Sequence, residues 1–467
     1  MNGRVRSLEG ARKGPFAVCH PATPSSLMGT ELVTLWQAAY TLSVVTLPKR
    51  LSGEGAHYVH ANHPGFLVLR ASGVYCVRMH QWGAQSEGDS ETGDTSTDRE
   101  PIADASVDVT GNVETDAAAA DGSTEPAGVP VNPGAPDVNL ESVAGLQVHE
   151  LTYTVPGLNI ERTLEVRLWY ATDDETGEAA LFEPSIPIFS DEFAWTDATV
   201  LPPPASTRAP LVVYSHGGRG FAGQISTVAR QFVRNGWIVV APSHLGQNLF
   251  DYQEILPYSF PAIRAYDTLA ALDFMENLPA DHPLSGRVDT SRVLAMGHSY
   301  GGQNSWLLAG LPLDIEGITA RCADGCTPED IAAFEAFRAE PWVVAGVSLD
   351  NLIDPNLFLD ESFAEITTPM LHISGTEGND GADIFRRAAD ANMTWVSLIG
   401  GCHESTTGTL PCDTLDLTIS LQATSVYTVA FATRHVLGST DEAVLGILDG
   451  SRPVSSSAVL QQGAGVP

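Results

Sequence analysis

Lysine is almost missing from this sequence. Of its 24 basic residues only Lys13 and Lys49 are lysines, set against 57 acidic residues, for a formal net charge of −33 over 467 residues. The shortage of positive charge is uneven. Residues 1–80 hold 8 basic and 3 acidic side chains, a net of +5; residues 81–150 hold 1 and 15, a net of −14; residues 151–467 hold 15 and 39, a net of −24. So acidic a surface repels phosphate backbones and anionic headgroups, which argues against nucleic acid and anionic membranes as partners. Long apolar runs are missing too. Leu32–Leu47 is moderately apolar but too short, and with Gln37 too polar, for an integral membrane span. The N-terminus lacks the basic, apolar and small-residue order of a signal peptide.

Cysteine is scarce: Cys19, Cys76, Cys322, Cys326, Cys402 and Cys412. The last four form two close pairs, neither in a zinc-finger pattern. They read as disulfides Cys322–Cys326 and Cys402–Cys412, which imply an oxidising compartment, extracellular or at the cell surface. Four separate thiols in a reducing cytoplasm are the alternative. Aromatics are absent from residues 84–140, where acids, Ser, Thr, Gly and Pro dominate. Such a segment buries too little apolar surface to offset its ordering entropy. The expected organisation is an unassigned segment 1–80, a disordered acidic linker 81–145, an ordered domain 146–440 and a fraying Gly/Ser/Gln-rich tail 441–467.

Within the ordered part, RTLEVRLWYA alternates as a strand, with Leu164, Val166, Leu168 and Tyr170 on one face. PLVVYSHGG and WIVVAPSHLG are continuous apolar strands stopped by glycine or polar residues. Helical stretches separate them, including Arg264–Leu278. Further strands are expected at Val293–Met296, Trp342–Leu349, Pro369–Ser374 and Met393–Ile399, and a last long helix at Ser420–Leu437. Apolar strands alternating with helices predict an α/β fold: a mostly parallel sheet covered on both faces.

The chemistry-bearing stretch is SRVLAMGHSYGGQNSWLLAG. It holds Gly297-His298-Ser299-Tyr300-Gly301, a G-x-S-x-G between an apolar strand and a helix. A serine at such a turn lies in strained backbone, and the flanking glycines let neighbouring elements approach. The helix start adds N–H donors for a developing oxyanion. Ser299 is the expected nucleophile. His298, beside it, is read as a support of the turn. Ser215-His216-Gly217-Gly218 ends the first long strand, so the backbone N–H groups of Gly218 and Tyr300 are the expected oxyanion hole.

These pieces, with RTLEVRLWYA, the helix bearing Arg264, Asp267 and Asp273, a strand ending VAGVSLD and the late GGCHEST, resemble the α/β-hydrolase superfamily. Within it they resemble the predicted dienelactone-hydrolase and platelet-activating-factor-acetylhydrolase-like branch, over roughly residues 150–437. The resemblance implies hydrolysis of a carboxylic ester, small or polymeric, through an acyl-enzyme and with no cofactor or metal. True dienelactone hydrolases use cysteine, so Ser299 argues against that particular activity.

Chain order in this fold is nucleophile, acid, histidine. His403, in IGGCHESTTG after the last strand, is the expected base, and a Cys402–Cys412 bridge would pin its loop. Two acids remain open. Asp350 ends the strand AGVSLD; Asp380 follows LHIS, in GTEGND. In G-x-x-D, the usual slot, this chain has Gly378. His372 is expected in the core or a pocket wall. Tyr300, Trp306 and Trp395 are candidates for pocket lining or core packing, and residues 311–341 for part of a lid. An amidase or peptidase with the same triad, and a non-catalytic binding protein on this fold, are the competing functions.

Overall fold

The computed structural model describes residues 128–466 apart from 183–188, 323–324 and 380, together with four strands in the first 80 residues. The chain divides into two compact units, Met1–Asp121 and Gly122–Pro467. In the first unit β1 (Ala17–Pro21), β2 (His57–Val59), β3 (Phe66–Ala71) and β4 (Val74–Met79) form an antiparallel sheet in the order β1-β4-β3-β2. The segment read as unassigned therefore contains strands. At three to six residues each, they are too short to show a sustained period in sequence. Of the linker expected over 81–145, residues 81–127 lie outside the described residues.

The second unit is built on an eleven-stranded sheet. Its strands are β5 (Ala144–Val155), β6 (Ile160–Tyr170), β7 (Ala179–Leu181), β8 (Ser190–Thr196), β9 (Ala209–Ser215), β10 (Ile238–Pro242), β11 (Val288–His298), β12 (Val343–Leu349), β13 (Met370–Gly375), β14 (Met393–Leu398) and β15 (Ala458–Gln462). Their order is β15-β14-β13-β12-β11-β9-β10-β6-β5-β8-β7. Pairing from β10 through β9, β11, β12 and β13 to β14 is parallel. The β6–β10 and β5–β6 pairs are antiparallel. Every residue of β9 and β10 is buried, as a strand covered on both faces requires, whereas β5 alternates half-buried and exposed positions over most of its length.

Helices cover both faces. One apolar core takes α2 (Phe260–Glu276) and α3 (Tyr300–Leu308); the other takes α1 (Ser226–Arg234) and the long α7 (Leu417–His435). This is the α/β-hydrolase fold. Strand order reverses around β9, with β10 on one side and β11 on the other, and such a switch point opens a crevice outside the carboxyl ends of the strands. Gly297 of β11 is the register partner of Ser215 of β9. The two loops singled out in the sequence therefore emerge side by side.

Three boundaries differ from the sequence reading. Residues 128–143, read as linker, are held on α1 by its polar side chains: Arg230 donates to the Leu140 and Ser142 carbonyls, and Asn139 N–H donates to Gln231. The tail 441–467 does not fray. Asp441 caps α8 (Glu442–Leu448), which buries Val444, Ile447 and Leu448, and β15 pairs with β14. Its polar composition hides three apolar anchors and one edge strand. Residues 311–341 form α4 (Ile315–Arg321) and α5 (Pro328–Ala336), joined across the Cys322–Cys326 disulfide. Ile318, Ala333 and Phe334 are core residues, and Tyr258 and Tyr266 hydroxyls donate to the Ile318 and Ala333 carbonyls. Both helices are anchored to the core, unlike a lid. Among the described residues no helix is long and apolar enough to cross a membrane.

Truncation at residue 440 removes three buried aliphatic side chains, each worth about 1.5–3 kcal/mol. The expected result is a melting temperature lower by roughly 10 °C or more. A truncated chain melting within about 2 °C of the full chain would show that the tail adds nothing to the fold.

Candidate active site

Ser299 connects the last residue of β11 to the first of α3. Its backbone has φ 53° and ψ −121°, a region costly for any side-chain-bearing residue. The turn is held by Ser299 N–H donating 2.8 Å to the Leu349 carbonyl. Its tightness explains the flanking glycines. A Cβ at 297 would overlap the Gly301 carbonyl, and a Cβ at 301 would overlap that of Ser215. Tyr300 begins α3, so its N–H has no acceptor within the helix.

Gly218 lies across from this turn. A Cβ built there would be 3.7 Å from the Tyr300 ring, and one on Gly217 would be 3.1 Å from Ser299 Cβ. The expected oxyanion-hole pair, Gly218 and Tyr300, is thus brought together beside Ser299.

His403 Nδ1 is 2.9 Å from Asp350 Oδ1. Asp350 is fully buried at the end of β12, while the His403 side chain is 38% exposed. The carboxylate also accepts from Gly375 N–H at 2.8 Å and Asn379 N–H at 2.7 Å, and the Asn379 amide donates to the Asp350 carbonyl. Burial pushes the His403 pKa down. The hydrogen bond that His403 donates to Asp350, the charge of Asp350 and that of Glu404 push harder, and the net shift is upward.

Of the two candidate acids, Asp350 therefore meets His403. Asp380 lies outside the described residues, next to Asn379. The glycine in the usual acid slot has a steric reason: a Cβ at 378 would overlap the Asp350 carboxylate. Glu377, in the same loop, accepts instead from Thr414.

His298 holds the base loop. Its Nε2 donates 2.9 Å to the His403 carbonyl, Nδ1 lies 3.0 Å from the Gln224 amide, and its ring is 4.6 Å from that of His403. The Cys402–Cys412 disulfide closes the same loop. His372 is a core residue, bonded to Ser348 and held near pKa 4 by burial. Trp306 packs on Phe363 in the core, and Trp395 packs on Phe385 and donates to Ser374. Tyr300 lines a shallow crevice with Arg264, Gln303 and Phe358.

Sequence reasoning missed Asn379, Gln224 and Glu404. Only Asn379 carried a signal, as an Asn following glycine in a turn after a strand. Among the described residues, one group brings three possible metal ligands within 4.8 Å of one another: His298, His403 and Glu404. Both His298 nitrogens and His403 Nδ1 are already in hydrogen bonds.

No family model matches this chain, and no curated protein does. Among solved structures it is similar to a ferulic acid esterase from Streptomyces cinnamoneus, at 21% identity, over 72% of this chain and 100% of that one, with a TM-score of 0.49. A likeness that distant carries nothing about chemistry or substrate.

Proposed function

We propose that this chain is a serine hydrolase that cleaves carboxylic esters through an acyl-enzyme. The observation that carries the reading is the 2.9 Å bond between His403 and buried Asp350 beside a serine in a strained strand-to-helix turn. In this mechanism His403 takes the Ser299 proton, and Ser299 attacks the ester carbonyl. The N–H groups of Gly218 and Tyr300 bind the tetrahedral oxyanion. Protonated His403 gives its proton to the leaving alcohol, and water then resolves the acyl-enzyme by the same route. Asp350 holds the Nδ1–H tautomer, leaving Nε2 to work as base.

Exposed apolar side chains favour a hydrophobic or polymeric ester. Leu245, Ile255, Tyr300 and Leu352 all lie in segments that follow strands of the parallel core, and all are exposed.

A fluorophosphonate probe is expected to label the native chain at one serine, and Ser299→Ala is expected to lose both labelling and ester turnover while keeping its melting temperature. Labelling that persists in the variant would overturn the assignment. Matched p-nitrophenyl ester and anilide substrates separate esterase from amidase, with turnover expected on the ester.

The base works unprotonated, so kcat/KM falls as pH drops through the His403 pKa. That limb is expected above the ordinary histidine value of about 6.5. Glu404 stabilises the imidazolium, so Glu404→Gln is expected to move the limb to lower pH. A limb that stays put or moves up would contradict this.

Gly378→Ala drives a methyl into the Asp350 carboxylate. The expected outcome is a kcat lower by on the order of tenfold or more, the scale of a misplaced catalytic group. Unchanged kcat would mean that Asp350 is not the acid.

A further inference from the structure

A second Ser–His–Asp set lies directly beneath the oxyanion loop. Ser215 Oγ is 2.8 Å from His244 Nε2, and His244 Nδ1 is 3.0 Å from Asp267 Oδ2. All three residues are buried, sealed from any substrate. This set therefore supplies no nucleophile, and its hydrogen bonds lead somewhere else.

Each proton in it is fixed by its neighbours. Asp267 accepts from Tyr153 Oη at 2.6 Å and from Arg162 Nε at 2.9 Å, so it also accepts from His244 Nδ1. His244 Nε2 then accepts from the Ser215 hydroxyl, whose oxygen accepts from Arg264 at 3.2 Å. The His244 backbone N–H points 2.9 Å to His216 Nε2. An amide N–H only donates, so neutral His216 carries its proton on Nδ1. That Nδ1 donates 2.7 Å to the Gly217 carbonyl, which also accepts from Gly220 N–H at 3.1 Å. One peptide earlier, Arg264 donates to the His216 carbonyl.

A trans peptide carries its N–H opposite its C=O. With both carbonyls turned into the buried network, the Gly217 and Gly218 N–H groups face the other way. Gly217 itself lies against Ser299, a Cβ built on it being 3.1 Å from Ser299 Cβ.

We propose that His216 is a positioning residue for the oxyanion hole, locked in one tautomer by the His244 backbone N–H, whose residue the buried Ser215 and Asp267 hold in place, so that it keeps the Gly217–Gly218 peptide with its N–H toward the reacting carbonyl oxygen. The proposal rests on the hydrolase reading and adds to it a part outside the triad.

The test compares His216→Ala with His216→Asn in the full chain, with kcat expressed per serine labelled by the fluorophosphonate. The asparagine amide places a donor near the position of Nδ1 and is expected to keep most of kcat. Alanine removes it, and kcat is expected to fall about 10- to 100-fold, up to the scale of losing one oxyanion donor. KM is expected to change little, because the hole acts on the transition state. The acid limb of the pH profile, set by His403, is expected to stay in place. A residue that only supported the fold would lower the yield of labelled enzyme without lowering kcat per site.

Should the alanine variant not fold, ¹⁵N-histidine spectra of the native chain read the tautomer directly, with the proton expected on Nδ1 of His216. An Nε2–H tautomer, a His216→Ala kcat per site within twofold of native, or equal losses in both variants overturns the positioning role alone. A native chain that takes no label at Ser299 overturns the hydrolase reading instead.

Discussion

Burying an ionised carboxylate costs several kcal/mol unless hydrogen bonds replace its water. Asp350 has no exposure at all, and three groups answer that cost: the Gly375 and Asn379 backbone N–H groups and the His403 ring. Two of these come from the neighbouring strand β13 and its loop, so the carboxylate ties β12 to that loop and the base to both. The arrangement dictates sequence around it. Residue 378 has no room for a side chain, and Asp350 itself takes φ 39°, an unusual backbone for a non-glycine residue. The geometry of the base follows from where one carboxylate is placed.

The same three residue types occur twice within this unit, and burial separates their roles. In the proposed Ser299–His403–Asp350 set the carboxylate is sealed while the histidine is partly open, as the proposed proton transfer to a substrate requires. In Ser215–His244–Asp267 everything is sealed, and burial holds both His244 and His216 well below the ordinary histidine pKa. Histidines kept neutral in a dry site are fixed donors and acceptors. Such groups orient a loop without reorganising as charge develops, which is where preorganised dipoles gain their advantage over water.

Much of this was legible in the sequence. The continuous apolar runs of β9 and β10 announced a doubly covered sheet, and G-x-S-x-G between strand and helix located the turn because its glycines answer to steric contacts only a few residues away. His403, which meets Asp350, was singled out because chain order on this fold leaves few positions for a base. The acid was not. Asp350 and Asp380 both follow strands that end on the same side, and the choice depends on which reaches across to His403, a contact 53 residues apart in sequence. Gly378 held the answer in disguise, since its missing side chain is the space that Asp350 occupies. The buried network was illegible for a related reason: Ser215, His244 and Asp267 lie on three different elements, and no local pattern links them. The tail failed differently, because three aliphatic anchors among polar residues look like composition rather than structure.

Charge completes the account. The chain as a whole is strongly negative, a poor setting for stabilising an oxyanion. Locally the sign reverses. Beneath the loop lie two guanidiniums: Arg162, bonded to the carboxylate of Asp267, and Arg264, bonded to the neutral Ser215 hydroxyl and His216 carbonyl. Burial pushes Arg264 down to about 9, which leaves it protonated at neutral pH. Exposed carboxylates farther than a Debye length of about 8–10 Å are largely screened, whereas a buried cation is screened much less. Arg264 bonds the carbonyl of the very peptide that carries the Gly217 N–H. Its field therefore reaches the place where negative charge would develop through one peptide group, while the acidic surface acts through water. A sequence can thus be acidic overall and still place a cationic floor beneath the loop that faces Ser299, where two guanidiniums meet one buried carboxylate and most of the acids lie in water.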